Sequence, residues 1–170
     1  GGRPLVWTSY DMWPFCGAEH YAGESTRYVE GYTKANRPDD ESGFDLNRWV
    51  WNRKRKAWKN LDNLTVVVAT RWLADCFRAS ALFRDRRVEI IPHGVDTSIF
   101  KPIDQATARR VLNLPADKNL ILFGAVGATT NRRKGYHFLE SAMAELASQD
   151  LATNTEVAIF GARAPETPPA

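Results

Sequence analysis

Cysteine is scarce in the sequence, and long apolar runs are lacking altogether. The 170 residues include two cysteines, Cys16 and Cys76, which are too few for a disulfide framework and are typical of a reducing compartment. No run approaches the roughly 20 apolar residues that cross a bilayer. The first residues also lack the basic and apolar regions of a secretory signal peptide. We therefore expect a cytoplasmic protein.

Metal-ligand clusters and the common nucleotide-binding motifs are lacking too. His20 and Cys16 are close in sequence, but a tetrahedral zinc site needs four ligands, so we assign no metal. The segment from Gly124 to Gly135 does not fit the GxxxxGK phosphate loop, because Lys134 precedes its last glycine and no Ser or Thr follows. It does not fit GxGxxG either. A phosphate site therefore has to be argued from charge and position.

The charge balance is mildly basic and selects no single partner. Lys and Arg number 23 against 20 Asp and Glu, which gives a formal charge of +3 and a pI near 9.0. Anionic partners such as nucleotide diphosphates, nucleic acid or acidic lipid are all compatible with it. Hydrophobic residues make up 44% and charged residues 25%, which is the composition of a folded soluble domain.

Strands and helices alternate along the chain, which predicts an α/β fold. The predicted strands are 5–9, 64–69, 88–91, 119–124 and 155–161, and the predicted helices are 44–60, 71–83, 105–113 and 135–147. Thr70 is well placed to cap the second helix, and Asp104 is well placed to cap the third. The strand, helix and strand from residue 64 to 91 imply parallel pairing with a right-handed crossover. The elements from residue 119 onward form half of a Rossmann-like unit.

The predicted helix at 44–60 begins near Asp45 and is unusually basic. A partial apolar face is supplied by Leu46, Trp49, Val50, Ala57 and Trp58. The bases on the rest of the helix are Arg48, Arg53, Lys54, Arg55, Lys56 and Lys59. Two interpretations stay open: a solvated face whose long side chains cover apolar surface, or a patch of Trp and bases that contacts a membrane or nucleic acid.

Residues 88–102, VEIIPHGVDTSIFKP, are predicted to form a stiff connection between two α/β parts. Pro92 stops the strand because it cannot donate to a sheet. Gly94 permits a turn that a side chain would resist. Asp96 can bond to nearby amides and begin a short helical turn. Phe100 is expected to anchor the far end by burial.

Within this connection, IPHGVDTSIFKP resembles the hinge of the group 1 (family 4) retaining glycosyltransferases, which are GT-B enzymes with two Rossmann-like lobes. VVVATRWLADC also resembles the strand and helix that close the family's acceptor lobe. The resemblance implies an α/β fold with two Rossmann-like lobes, both incomplete in this chain. It assigns 1–92 to the acceptor lobe, 93–103 to an interdomain hinge and 104–170 to the nucleotide-sugar (donor) lobe. The hinge residues are His93, which stands where Asn is usual, Gly94 and Asp96.

The acceptor side of such an enzyme would follow the first strand. Tyr10, Asp11 and Trp13 lie there, and a strand that ends in polar and aromatic residues often forms a pocket rim in α/β folds. The resembled family often has His-Asp-x-Trp at this place, with the His facing the acceptor. Tyr10 takes the His position here, and a phenol is a poor base near neutral pH. The resemblance makes Tyr10 and Asp11 acceptor-side residues.

Three consecutive bases, Arg132, Arg133 and Lys134, stand directly before the predicted helix at 135–147. A cation at a helix N-terminus is unfavourable alone because it adds to the positive dipole end. Three cations therefore favour a bound anion, held also by exposed amides. The Arg-Lys-Gly sequence and YHFLESAMAEL resemble the family's donor loop and helix. By that resemblance Lys134 contacts the donor diphosphate, with Arg133 and Arg132 assisting beside Gly124.

The resemblance implies a nucleotide-sugar-dependent glycosyltransferase that acts on a glycan or lipid-linked acceptor and retains the anomeric configuration. Fixed cations would stabilise the departing nucleotide diphosphate, and neither a cofactor nor a metal is required. Membrane contact would be peripheral, at the inner face, and no nucleic-acid partner is expected. No residue is assigned as catalytic. The family's Glu-rich motif would lie beyond Ala170, so we expect an internal fragment that is inactive alone.

A function of another class stays open beside this one. Residues 48–59 and Arg132–Lys134 are both rich in bases. They could belong to a non-catalytic module that binds an anionic ligand such as nucleic acid or a membrane surface.

Overall fold

The computed structural model of the protein divides into two compact units, Gly1–Thr97 and Ser98–Ala170. The structure describes residues 2–127, 129–149 and 153–161. Both units pair their strands in parallel, so the predicted α/β class with parallel sheets is confirmed. The boundary between the units falls inside the segment predicted as a hinge. That the units are two lobes of a larger enzyme stays a prediction.

The first unit contains a three-stranded parallel sheet in the order β1-β2-β3. The strands are β1 (Leu5–Ser9), β2 (Leu64–Val68) and β3 (Arg87–Ile90). Along β2, buried side chains alternate with partly exposed ones, and Val66 and Val68 are fully buried. Central β-branched residues of this kind are typical of a strand with neighbours on both sides.

The helices of the first unit are α1 (Arg27–Glu30), α2 (Leu46–Trp58) and α3 (Arg71–Ala79). Side-chain hydrogen bonds fix where α2 and α3 start and where α3 ends. Thr70 Oγ1 accepts a hydrogen bond from the Leu73 amide at 3.2 Å, as predicted for the cap of α3. This helix ends before the predicted residue 83, because the Ser80 hydroxyl donates to the Phe77 carbonyl (2.8 Å) and accepts from the Phe83 amide (3.2 Å).

The core of the first unit includes the start of the loop predicted to be irregular. Residues 15–43 contain one short helix, α1, yet Phe15 and Cys16 are fully buried. The Phe15 ring packs edge-on against Phe77 of α3, with 4.6 Å between ring centroids, and burying such a ring contributes about 2 to 3 kcal/mol. The other buried apolar side chains of this cluster are Met12, Leu64, Val66, Val68, Leu73, Ala74, Cys76, Phe83 and Val88.

The face that α2 buries differs from the predicted one. Asp45 caps the helix as expected, accepting from the Arg48 amide at 2.8 Å. Trp49, predicted on the apolar face, is 48% exposed, whereas Trp51 and Lys54 are each 5% exposed. The apolar-face prediction was therefore wrong for Leu46 and Trp49, which are exposed, but Trp58 packs against the core as predicted. The burial of Lys54 was missed because every charged residue of the helix was placed outside.

The second unit has a two-stranded parallel sheet, β4-β5. Its elements are α4 (Gln105–Val111), β4 (Asn119–Gly124), a 3-10 turn (Arg132–Lys134), α5 (Tyr136–Ser148) and β5 (Thr155–Phe160). Asp104 caps α4 as predicted, because its Oδ2 accepts from the Thr107 amide at 2.8 Å. Across the described ranges of the chain, no helix is long and apolar enough to cross a membrane.

Burial is sparse in the second unit. Among its described residues, Tyr136 is the buried apolar side chain, and its ring lies 5.6 Å from that of Phe123. The predicted burial of Phe100 is wrong, since its side chain is 70% exposed, and Phe138 of α5 is also 72% exposed. Sequence alone marks these rings as apolar, but it does not tell which of them a short α/β unit covers.

Candidate functional site

The carboxyl ends of the three strands meet at one edge of the first unit's sheet. Ser9, Val68 and Ile90 are register partners, and ligands of open α/β sheets bind beyond such an edge. Tyr10, which follows β1, is 67% exposed. Its ring stacks on that of His93, which follows β3, with 5.5 Å between centroids and an interplanar angle of 17°. The structure thus brings together a residue predicted on the acceptor side and one predicted in the hinge.

Asp11 lies next to Tyr10 but bonds within its own loop. Its Oδ1 accepts a hydrogen bond from the Trp13 amide at 3.0 Å, and its Oδ2 lies 2.5 Å from His20 Nδ1. The Met12 amide, between these residues, donates to the His20 carbonyl at 3.0 Å. The Asp11 side chain is 27% exposed and that of His20 is 66% exposed. His20 was not among the predicted site residues.

The remaining hinge residues, Gly94 and Asp96, are exposed. Gly94 is not among the described glycines with a positive φ, and a Cβ added there would meet no atom within 4 Å. The predicted need for glycine at this turn was therefore wrong, since a side chain fits the observed backbone.

Lys54 of α2 is the buried cation beneath this loop. Its Nζ donates to the carbonyls of Trp13, Cys16 (3.1 Å) and Gly17 (2.6 Å), and it lies 3.7 Å from the centre of the Trp13 ring. Burial lowers the pKa of Lys54 from 10.5 to about 8 and raises the pKa of the Cys16 thiol to about 12. One ammonium group thus joins α2 to the segment that follows the candidate acceptor residues.

In the second unit, the predicted donor loop connects β4 to α5. Gly124 ends β4, and a Cβ there would lie 2.0 Å from the Phe160 ring, so any side chain at this position would have to displace that ring. Asn131 caps the basic turn by accepting from the Arg133 amide at 3.1 Å. Gly135 ends the turn with φ 81°, a conformation that glycine adopts without steric cost.

A cavity of about 200 Å³ opens beside this turn. Its lining residues are Thr129, Thr130, Asn131, Arg132, Tyr136, His137 and Glu140. Arg132 contributes the positive charge of the lining and Glu140 the negative charge. Arg133 and Lys134 are exposed and do not belong to the lining. Of the four residues predicted for the diphosphate, the structure therefore brings Arg132 to the cavity.

A larger open groove, of about 500 Å³, lies along the first two turns of α2. Its lining residues are Lys34, Arg37, Gly43, Phe44, Asp45, Arg48, Trp49 and Asn52. Phe44 is 71% exposed, and the Arg53 guanidinium lies over the Trp49 ring at 4.9 Å. Cations and exposed aromatic rings therefore occur together on this surface.

Sequence reasoning missed two residues for different reasons. Lys54 had a usable signal, because Trp51, Lys54 and Trp58 recur at three- and four-residue intervals and so share one side of a helix. His20 had none, because it lies in a loop without periodicity and its partner Asp11 is nine residues away.

Two parallel α/β units with polar and aromatic side chains after their strands are compatible with a Rossmann-like fold. No family model and no solved structure matches the chain. A segment of 37 residues is 51% identical to D-inositol 3-phosphate glycosyltransferase of Acidothermus cellulolyticus, and it covers 22% of this chain and 8% of that protein. The similarity relates the chain to glycosyltransferases over a small part of both sequences.

Proposed function

We propose that the chain is part of a glycosyltransferase that moves a sugar from a nucleotide-diphosphate sugar to an acceptor. The observation that carries this proposal is the segment of 37 residues that is 51% identical to a glycosyltransferase. The two parallel α/β units are then an acceptor lobe and a donor lobe of the GT-B type. The hinge resemblance adds the finer proposal of a group 1 (family 4) enzyme that retains the anomeric configuration.

The turn between β4 and α5 is the proposed place for the donor diphosphate. Arg132 lines the adjoining cavity, and Arg133 and Lys134 stand exposed in the same turn. Cleavage of a sugar–phosphate bond builds negative charge on the departing diphosphate, so fixed cations and amides stabilise the transition state more than the ground state. The loss of one such group raises the barrier by about 3 kcal/mol.

The donor assignment is tested by titrating UDP and GDP into the complete protein at low salt, since screening weakens exposed charges. We expect Arg132→Ala and Lys134→Ala each to weaken binding of the preferred nucleotide about tenfold, because each removes a charge-assisted bond. Arg110→Ala removes an exposed charge of α4 and serves as the matched control. Unchanged affinity in both variants contradicts this placement.

Transfer itself needs an acceptor, and the similar protein suggests one. Its name includes D-inositol 3-phosphate, so this compound is the first acceptor to test with UDP- and GDP-linked sugars, followed by glycan and lipid-linked acceptors. We expect a new glycoside by mass spectrometry together with an equal amount of free UDP or GDP. If no sugar nucleotide binds to the complete protein, the proposal is wrong.

A second candidate is a non-catalytic module that binds anionic ligands, and the groove along α2 favours it. Lys34, Arg37 and Arg48 line that groove together with Phe44 and Trp49. Lys54 must be left out of this surface because it is buried. Binding to anionic vesicles or nucleic acid that falls steeply with salt, and is lost when Lys34 and Arg48 are changed to Ala, would support this function.

A further inference from the structure

The outer side of α2 begins with apolar side chains and continues with bases. Four residues at three- and four-residue intervals share this side of the helix, and they are Leu46, Trp49, Arg53 and Lys56. All four are exposed. Phe44 precedes the helix and is also exposed, and its ring lies 6.4 Å from that of Trp49. Three large apolar side chains of one surface are thus left in contact with water.

The acids that lie closest to the groove along α2 are neutralised within the protein. Asp45, which lines the groove, bonds to the buried Arg27 guanidinium at 2.9 Å. Glu41 lies 3.7 Å from Arg27 and 3.5 Å from Arg37. Arg37 also donates to two carbonyls of its own loop, at 2.9 Å each. These two acids and two bases hold the loop against α2, and their charges cancel.

The other cations of this surface have no such partners. Lys34 and Arg48 line the groove, and within the described ranges of the chain neither side chain makes a hydrogen bond or an ion pair. Residues 46–61 contain no Asp or Glu. Asp39 and Asp40 are exposed in the preceding loop but lie outside the lining. The groove and the outer side of α2 therefore carry positive charge that the protein itself does not neutralise.

An anionic bilayer suits this combination better than a dissolved anion does. At a bilayer surface, aromatic and apolar side chains enter the headgroup region while Lys and Arg stay with the phosphates. The Arg53 guanidinium lies over the Trp49 ring at 4.9 Å, so a charge and a ring reach the same depth. Nucleic acid offers bases on which rings stack, but it has no apolar region for Leu46. A small phosphate compound in the groove would leave Leu46 and Phe44 in water.

We propose that this surface binds a membrane that contains anionic lipid. We call it the docking face, and its residues are Lys34, Phe44, Leu46, Arg48, Trp49 and Arg53. The apolar side chains enter the headgroup region, Arg53 contacts a lipid phosphate, and the groove holds a headgroup between Lys34 and Arg48. The proposal adds a location to the proposed function and does not depend on sugar transfer, because the docking face lies in the first unit and the turn proposed for the diphosphate lies in the second.

Sedimentation with sucrose-loaded vesicles measures binding by the complete protein. We expect binding to equal parts of phosphatidylserine and phosphatidylcholine, and binding about tenfold weaker to phosphatidylcholine alone. Arg48→Ala and Arg53→Ala should each weaken the affinity about fivefold, because each removes one charge near the lipid surface. Trp49→Ala should weaken it about tenfold by removing an inserted ring. Arg110→Ala and Phe138→Ala change an exposed base and an exposed ring of the second unit, and these matched controls should leave the affinity unchanged.

Several results would overturn the proposal. The unmodified protein could bind neither kind of vesicle or both equally, or the controls could lose as much affinity as the variants of the docking face. Two soluble probes test the other occupants: glycerophosphoserine, which is the headgroup without acyl chains, and a single-stranded oligonucleotide. If either probe binds as tightly as the mixed vesicles and is weakened by the same variants, the docking face serves a dissolved anion or nucleic acid instead of a membrane.

A second measurement tests whether Trp49 enters the lipid. Lipids with brominated acyl chains quench the fluorescence of tryptophan rings that reach them. Trp49→Phe keeps an aromatic ring at this position, so binding should persist while most of the quenching is lost. Trp72→Phe, a change at an exposed tryptophan of α3, is the matched control and should keep the quenching. Undiminished quenching in Trp49→Phe overturns the insertion, and circular dichroism checks that each variant is folded.

These outcomes are separate from those of the proposed function. If the unmodified protein binds a sugar nucleotide but no anionic vesicle, the docking face is wrong and the glycosyltransferase proposal stands. If it binds anionic vesicles through the docking face but no sugar nucleotide, the docking face stands and the glycosyltransferase proposal is overturned. Trp49→Ala should leave the affinity for UDP or GDP unchanged in either case.

Discussion

Replacing Lys54 by methionine removes the buried ammonium group and keeps an unbranched side chain of good helix propensity. Three main-chain carbonyls, of Trp13, Cys16 and Gly17, lose their donor. Each charge-assisted bond contributes about 2 kcal/mol, which makes about 6 kcal/mol for the three. The loop that contains Asp11 and Trp13 loses its attachment to α2 at the same time.

The methionine variant no longer has the cost of burying a charged group, and this gain offsets part of the loss. Burial lowers the pKa of Lys54 from 10.5 to about 8, and each pKa unit corresponds to about 1.4 kcal/mol, so at pH 7 the buried cation costs about 3 kcal/mol. We therefore expect Lys54→Met to lower the free energy of unfolding of the first unit by about 3 kcal/mol at pH 7.

The dependence on pH follows from the direction of the shift. An unfolded lysine keeps its proton up to 10.5, whereas Lys54 in the folded chain releases it near pH 8. Between these two pH values the unfolded chain binds more protons at Lys54 than the folded chain does. A rise in pH therefore increases the contribution of Lys54 to the free energy of unfolding. The stability that Lys54 contributes relative to Lys54→Met should therefore rise with pH, by about 2 kcal/mol between pH 7 and pH 9.5.

Urea unfolding followed by tryptophan fluorescence measures this difference. All six tryptophans lie between residues 7 and 72, so the signal reports the first unit alone. Lys56→Met, on the exposed side of α2, is the matched control and should change stability by less than about 0.5 kcal/mol. A loss below about 1 kcal/mol at pH 7, or a difference between wild type and Lys54→Met that shrinks with rising pH, would refute the reasoning.

Two further predictions concern local geometry in the same unit. Gly17→Ala should lower the free energy of unfolding by more than about 2 kcal/mol, because the new Cβ would lie 2.6 Å from the Asn47 Cα. Urea unfolding measures this loss. A loss under about 0.5 kcal/mol would show that the two backbone segments separate easily. Thr70→Ala removes the hydroxyl that accepts from the Leu73 amide and should cost about 1 kcal/mol. Thr70→Ser keeps that bond, and a loss equal to that of Thr70→Ala would contradict the capping role.

Elements that depend on neighbouring residues could be predicted from the sequence. The strands Leu5–Ser9 and Asn119–Gly124 have the predicted bounds, because β-rich runs end at local turn residues. Thr70 and Asp104 cap their helices as predicted, since a cap acts on an amide three residues away. Parallel pairing in both sheets follows from the alternation of strands and helices.

Features that depend on distant residues could not be predicted. The carbonyls that accept from Lys54 are 37 to 41 residues away in sequence, so the helix alone places this lysine on the side of Trp51 and Trp58 but does not identify the partners that make its burial possible. Arg132 lines the cavity of the second unit, whereas Arg133 and Lys134 do not. The difference follows from the direction in which each side chain leaves the 3-10 turn. The partnership of Asp11 with His20 requires a loop fold that composition does not encode.

The placement of the two cysteines has a practical consequence for following the molecule in solution. Cys16 is fully buried and Cys76 is 8% exposed, and burial raises the pKa of both thiols, so little of the reactive thiolate is present near neutral pH. Alkylation by iodoacetamide then has to wait for residues 1–97 to open. Residues 98–170 contain no cysteine. The rate of alkylation therefore reports how often the half of the chain that carries Asp11 and His20 exposes its interior.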